Sequence, residues 1–442
     1  MSLVYVRTKF SSFFSTAHNQ RSLIQKVSLP FLLIFLSMIL SMISQVILAR
    51  ILGIEQYGKY TFVFSWVVLL TVPACLGLTT GSVRIVSQLR ASENWSNLKG
   101  FLRVAYFFPL LSILFIAPVA LLIIGYLGNN DILRTSWWIG IAFVLPLNAL
   151  SSVQGGLLRG FKRPIESKFA GVTEPLVFIL LLYLTFILYG KSTSEYSALV
   201  VKMIALFTSL LLYLWFLRRC RNSELNTTTA TYSLREWVNI SIPLLLFSGM
   251  AIILKRTDII MLGYFAENVD VGVYAAVSRI ANLTALGIAA VNTVANPLIA
   301  EYFTKSDFRS LQKITTQSAR IVCASTLTLS LIVVLGWEYI LMAFGTEFLV
   351  GRDSLFILAV GQLIVSVFGP LGQLLIMTKY ERLSALMLFG TVVTNIIFNA
   401  ILIPIWGIMG AALATTTANL LWTFVFFIII SKMLPIRLSI LG

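Results

Sequence analysis

The chain has 442 residues, of which 58% are hydrophobic and only 11% charged, with a mean hydropathy of +0.92. Soluble domains carry about 25% charged residues, so this chain has too little polar material to coat a soluble fold. The net charge of +16 does not point to nucleic acid either, because the basic residues fall in short clusters between apolar runs, as in the cytoplasmic loops of membrane proteins. Cys75, Cys220 and Cys323 lie far apart and form no redox or metal motif. The single histidine, His18, sits in the polar N-terminal tail, which removes His-based catalysis and most zinc sites.

The tail 1–27 is basic, has no acidic residue and includes Phe10, Phe13 and Phe14. It reads as a short amphipathic helix on the inner membrane face. The first apolar run, from Ser28 to Ala49, is too long for a signal-peptide core and has no small-residue cleavage site, so it reads as a retained helix. A spanning helix needs about 20 mostly apolar residues. That ruler predicts twelve, at 28–49, 57–83, 101–125, 136–158, 170–189, 196–217, 237–263, 271–297, 317–344, 353–377, 383–404 and 408–431. The expected architecture is an all-α integral membrane protein. Its N-lobe spans 28–217, its cytoplasmic linker 218–236 and its C-lobe 237–431, followed by a cytoplasmic tail 432–442.

Lys and Arg orient these spans. One set of alternate connections carries 23 of them and the opposite set 5, namely Arg50, Lys59, Arg134, Lys191 and Arg352. So lopsided an alternation places both termini in the cytoplasm and supports twelve spans, since a missed span would scramble it. The sequons at Asn94 and Asn226 then fall in cytoplasmic loops and carry no glycan.

The halves repeat. "EQYGKYTFVFSW" from Glu55 aligns with "VDVGVYAAVSRI" from Val269, and "SENWSNLKGFLRVA" from Ser92 aligns with "KSDFRSLQKITTQS" from Lys305. The offset holds at 213 to 214 residues. Six helices per half is an even number, so the halves enter the membrane in the same orientation, as a parallel repeat.

The stretch "MAIILKRTDIIMLGYF" from Met250 sets Lys255, Arg256 and Asp258 inside helix 7. A charge at mid-membrane costs about 2.5–3.5 kcal/mol on insertion scales. Arg279 lies about 12 Å into helix 8 at the usual helical rise, beyond easy snorkelling, whereas Lys202 in helix 6 can reach the outer interface. Two readings compete. In the structural one, Asp258 pairs with Lys255 or Arg279 and holds helices 7 and 8 together. In the functional one, Lys202, Lys255, Arg256 and Arg279 outnumber Asp258 and face water inside the bundle as an anion seat. Glu174, beside Pro175 in helix 5, is a proton carrier or an interface residue. Intramembrane amides such as Gln45, Asn148, Asn296, Gln373, Asn395 and Asn399 read chiefly as helix-to-helix hydrogen bonds.

The string A-R-x-L-G-x-x-x-Y-G-x-Y, here Ala49 to Tyr60, with L-G-L at Leu76 to Leu78, resembles the bacterial polysaccharide repeat-unit flippases of O-antigen and capsule, the Wzx-like family. These belong to the multidrug, oligosaccharidyl-lipid and polysaccharide exporter superfamily. "KRTDIIMLGYFAENVDVGVYAAVSRIANL" from Lys255 carries the same resemblance. It implies two six-helix lobes around a cavity that opens alternately to each side of a bacterial inner membrane. The implied cargo is an undecaprenyl-pyrophosphate-linked oligosaccharide, and the implied partners are membrane lipids, a polysaccharide polymerase and a chain-length regulator. The family's cationic cavity maps onto Arg256, Arg279, Lys255, Lys202 and Arg50. Asp258 or Glu174 would carry a coupling proton or sodium ion. Two alternatives are a multidrug exporter, whose cavity should be acidic, and a glycan polymerase or ligase, which would need a large external catalytic loop. No nucleotide motif occurs, and neither a cofactor nor enzymatic chemistry is expected.

Overall fold

The computed structural model describes the backbone of residues 2–127, 131–190, 194–220, 225, 227–369, 371–378 and 380–433. It describes their side chains except at 2–31, 34, 123–127, 131–134, 189, 289–290, 293–294 and 381. The fold is helical, with no strand among the described residues. The first half holds α1 (Ser2–Cys75), α2 (Leu78–Ala91), α3 (Trp95–Leu127), α4 (Asp131–Ile139), a π-helical turn (Gly140–Val144), α5 (Leu145–Gly160), α6 (Pro164–Tyr189) and α7 (Glu195–Arg219). The second half holds α8 (Leu234–Phe265), α9 (Asn268–Leu283), α10 (Leu286–Thr304), α11 (Phe308–Leu335), α12 (Trp337–Phe344), a 3₁₀ turn (Thr346–Gly351), α13 (Arg352–Val367), α14 (Leu371–Met377) and α15 (Glu381–Met433).

Among the described residues, nine helical stretches are long and apolar enough to cross a membrane. Two of them, Phe35–Ala91 with 57 residues and Arg382–Met433 with 52, far exceed one crossing of about 20 residues. Both fold back on themselves. In a straight helix Gln45 and Tyr57 would stand about 18 Å apart, yet the Tyr57 hydroxyl donates to Gln45 Oε1 at 3.5 Å. The reversal is at Gly53 (φ 74, ψ 169), whose left-handed backbone a side chain would strain. Gly407 (φ 53, ψ −126) does the same in α15, where a Cβ on Gly410 would fall 2.1 Å from the Leu402 carbonyl oxygen.

Other expected helices are subdivided. Helix 2 breaks at Leu76 and Gly77, both at positive φ. Helix 8 divides into α9 and α10 at Thr284–Ala285. Helix 9 ends at Gly336, with α12 as a separate piece, and helix 10 divides at Phe368–Gly369. Hydropathy is blind to such breaks because both pieces stay apolar. The helices also start earlier than the apolar runs, α11 at Phe308, with Asp307 accepting the Ser310 N–H as an N-cap. The backbone of the tail is helical and continuous with α1; its predicted amphipathic face lies outside the described side chains, as do the sequon at Asn226 and residues 434–442.

Successive turns alternate between two ends of the bundle. The contacts sort them into a basic end, with the Lys- and Arg-rich connections, and a sparse end. At the sparse end, Arg50 reaches the Met342 and Ala343 carbonyls in the last turn of α12 and the Glu195 N–H meets Gln56. At the basic end, Thr231 meets Ser96 and Asn97, and Lys99 donates to the Thr228 carbonyl. The packing of the two ends differs. One large core joins first-half residues such as Tyr57, Val63 and Ile141 to second-half residues such as Leu262, Tyr274, Phe344 and Phe348. Trp237 apart, its second-half members all lie in the sparse-end stretches. A second, smaller core of Ala295, Ile299, Leu311, Leu371, Leu374, Leu375, Met387 and Ile430 belongs wholly to the second half, at the basic end.

Candidate functional site

Glycine spacing aims the two central arginines. Cβ atoms on Gly249 and Gly263 of α8 would meet Val72 at 2.8 Å and Phe62 at 2.2 Å, so this stripe of α8 faces the second arm of α1. Arg256 lies midway on the same stripe, seven residues from each glycine. A Cβ on Gly272 of α9 would meet the Ile54 carbonyl oxygen at 2.5 Å, and Arg279 follows seven residues later on that face. Seven residues are two helical turns, so each arginine sits about 10 Å inward from a glycine contact of the sparse end. Both are half-buried, and their charges act on each other and on the Tyr57 and Tyr60 hydroxyls. No acid among the described residues forms an ion pair with either.

Asp258 faces elsewhere. It is 7% exposed, and neutral groups surround it. Its Oδ2 accepts from the Tyr274 hydroxyl at 2.6 Å and the Thr415 hydroxyl at 2.6 Å. Its Oδ1 accepts from Asn399 Nδ2 at 2.8 Å and Asn395 Nδ2 at 3.3 Å. The expected pairing with Arg279 or Lys255 is therefore corrected. Two residues separate Asp258 from Arg256, about 200° around the helix, so the carboxylate turns toward α15 while the guanidinium turns toward α1. Asn395 and Asn399 lie one turn apart before Gly407, and Thr415 lies after it, so the cage ties both arms of the α15 hairpin to α8 and α9. The amide oxygens of Asn395 and Asn399 are buried and have no hydrogen-bond partner among the described residues.

The remaining candidates separate. Lys202 makes an ion pair with Glu174 and lies over the rings of Phe64 at 5.0 Å and Phe178 at 5.1 Å. It is not a free cation, and Glu174 is its counter-ion across α6 and α7. Lys255 is exposed and off the arginine stripe. Arg50 lies at the sparse-end surface, its Nε donating to the Ala343 carbonyl at 2.8 Å and its Nη2 to the Met342 carbonyl. Of the five expected anion-binding cations, Arg256 and Arg279 lie near enough for their charges to act on each other, and Lys202, Lys255 and Arg50 face elsewhere. Several intramembrane amides do join helices: Asn148 donates to Thr71 at 2.9 Å and Asn296 to Gln373 at 3.2 Å. The residues that sequence reasoning missed are Tyr57 and Tyr60 beside the arginines, and Tyr274 and Thr415 around Asp258. The i, i+4 pair Asn395/Asn399 was the available signal for that cage.

The profile of the family described as "Polysaccharide biosynthesis protein" matches residues 23–303, and that of the family described as MatE matches residues 240–401. The chain is 30% identical over 161 residues to a probable low-salt glycan biosynthesis flippase, Agl15, of Haloferax volcanii, covering 36% of this chain and 34% of that relative. It is 23% identical over 376 residues to the capsular polysaccharide biosynthesis protein CapF of Staphylococcus aureus, covering 83% and 88%. Among solved structures, a multidrug resistance MATE family transporter of the MOP superfamily, in an inward-facing conformation, superposes with a TM-score of 0.75 at 12% identity, covering 90% of this chain and 94% of that one. A MOP superfamily transporter from Pyrococcus furiosus, its binding pocket described as of reverse polarity, gives a TM-score of 0.61 at 15% identity, covering 93% and 95%. At these identities the likeness establishes the fold.

Proposed function

The chain belongs to the polysaccharide biosynthesis protein family, within the superfamily that holds the MATE transporters, and from that premise we propose that it flips an undecaprenyl-pyrophosphate-linked oligosaccharide from the inner to the outer leaflet. The observation that carries this reading is the Arg256–Arg279 pair. Two guanidinium groups from adjacent helices face the other half at the same depth, and no acid among the described residues forms an ion pair with either. Such a pair repels itself and favours a multiply charged anion, and guanidinium forks match phosphate oxygens in bidentate fashion. A diphosphate supplies the charge, the sugars can meet polar groups between the halves, and the lipid tail can stay in the bilayer.

In this reading the basic end is cytoplasmic, the twelve helical passes all cross the membrane of a bacterial cell, and the lobes are 28–217 and 237–431. The two cores support it: the lobes share one core at the outer end, whereas at the inner end the C-lobe keeps a core of its own and meets the N-lobe where Gly77 and Gly81 approach Ser241 and Phe101 packs on Trp237. The protein moves its cargo without altering it. Asp258 is the coupling-site candidate, because a carboxylate, a hydroxyl and two asparagine side chains with unpartnered amide oxygens offer oxygen ligands to a proton or a sodium ion. The MatE match favours a second reading, a multidrug exporter, but the paired arginines repel the organic cations such a site would take.

The test is complementation of a strain lacking its own repeat-unit flippase. Arg256→Ala and Arg279→Ala should each abolish surface glycan while the protein inserts at normal levels. Arg256→Lys should retain part of the activity if charge suffices and lose it if the bidentate contact matters. Normal glycan in both alanine variants would overturn the reading.

A further inference from the structure

The sparse-end seal is built almost symmetrically. A Cβ on Gly58 would fall 1.8 Å from the Asn268 carbonyl oxygen, and one on Gly272 would fall 2.5 Å from the Ile54 carbonyl oxygen. Gly58 and Gly272 differ by 214 positions, and so do Ile54 and Asn268, so the contact is reciprocal, as at a two-fold interface. Such a contact is short-ranged, runs from backbone to backbone and carries no charge. Arg50 breaks the symmetry: the position 214 residues later is Tyr264.

The Arg50 guanidinium crosses from the end of the first arm of α1 to the C-terminus of α12. That helix has eight residues and stops at Gly345, whose φ of 154° takes the chain out of the helix. The Gly345 N–H returns to the Leu341 carbonyl, which leaves the Met342 and Ala343 carbonyls pointing outward. The last carbonyls of a helix need donors from elsewhere and carry the negative end of its dipole. Arg50 supplies both donors, Nε to Ala343 at 2.8 Å and Nη2 to Met342. Beneath it, Tyr57 and Phe348 meet edge to face with ring centroids 5.9 Å apart. The cap thus joins residues almost 300 positions apart, and it exists only while the halves are together at this end.

We propose that Arg50 is a latch: it caps α12 across the two halves, sets how strongly the sparse end stays shut, and must release each time that end opens. It belongs to the gate and not to the anion seat. The inference rests on the transporter reading but not on the identity of the cargo. Removing the latch leaves the glycine seal intact and shifts the resting population toward the state open at the sparse end.

The experiment uses the full chain in membrane vesicles, with Cys75, Cys220 and Cys323 replaced and a reporter Ala276→Cys. Ala276 is fully buried, one turn below Gly272. A membrane-impermeant maleimide is applied to vesicles of each orientation, with no substrate present. Arg50→Ala should raise labelling from the sparse-end side by about tenfold, the shift expected for loss of two solvent-exposed charge-assisted hydrogen bonds. Arg50→Lys, with a charge but no fork, should fall between. Arg50→Gln replaces the alanine variant if the latter does not accumulate, and should also raise labelling. Labelling unchanged from the parent in the accumulating variant, or raised only from the basic-end side, overturns the latch. Failure of the flippase reading looks different: Arg256→Ala and Arg279→Ala would then leave surface glycan intact while the labelling response to Arg50 persists.

Discussion

The two ends of the bundle solve the same packing problem in different ways. At the sparse end the halves share one core, and their backbones meet through Gly58 and Gly272 with the Arg50 cap above them. At the basic end the second half keeps its own core around Leu371, Leu374 and Leu375, and α10 packs on α11 and α14. The contrast teaches which packing has to part. Separating the halves at the sparse end breaks the core they share, the close glycine contacts and one cap. The basic-end core stays whole because it lies on one side of the boundary. Rigid-body rocking needs this arrangement, since close-packed cores do not deform continuously.

Breaking the sparse-end seal should have the largest effect. Gly58→Leu places a side chain where a Cβ alone would fall 1.8 Å from the Asn268 carbonyl oxygen, so that end cannot close. Surface glycan should disappear, and maleimide labelling at Ala276→Cys should reach its ceiling; a variant that still supports normal glycan would show the glycine contact to be dispensable. Next comes the cage that braces the α15 hairpin at this end. Asp258→Ala takes away the acceptor shared by two hydroxyls and two amides, at about 1–3 kcal/mol for each buried donor left unsatisfied, and membrane abundance should fall sharply. Asp258→Asn preserves size and should insert better, yet lose gradient-driven flipping in vesicles if Asp258 couples transport. Because Asp258 does not pair with Arg279, adding Arg279→Gln should not restore the abundance of Asp258→Asn; restoration would contradict the cage.

The basic-end core offers the complementary change. Leu375→Ala removes a fully buried side chain and should cost about 2–5 kcal/mol, seen as a lower unfolding temperature in detergent. Labelling at Ala276→Cys should stay at the parent level, because that core does not cross the boundary; a rise would mean the two ends are coupled more tightly than their separate cores suggest. The smallest effect is expected where the chain straps the halves at the basic end. Asn97 Oδ1 accepts from Thr231 Oγ1 at 2.7 Å and from Ser233 Oγ at 3.4 Å. These groups are largely exposed, so Asn97→Ala should cost no more than about 1 kcal/mol and leave glycan synthesis near normal; a marked loss would promote the strap to a working hinge.

The sequence by itself determined the helical membrane class, the family, and the existence of intramembrane charges that need explaining. Those features are local. Apolar runs bury along their own helix, Lys and Arg stay at the end where they are cheapest, and the 214-residue repeat preserves Gly58 and Gly272 in equivalent places. Only the tertiary structure decided what each charge touches. Asp258 looked like the counter-ion of Arg279 because both lie in neighbouring helices, but helix rotation turns it toward Asn399 and Thr415, 141 and 157 positions away. Lys202 looked like a free cation until Glu174, 28 positions earlier, met it across two helices. Arg50 looked like part of the anion seat until the C-terminus of α12 arrived beneath it. The reason is physical: hydropathy fixes which segments are buried, whereas the partner of a buried polar group depends on the azimuth and depth of helices packed from distant parts of the chain.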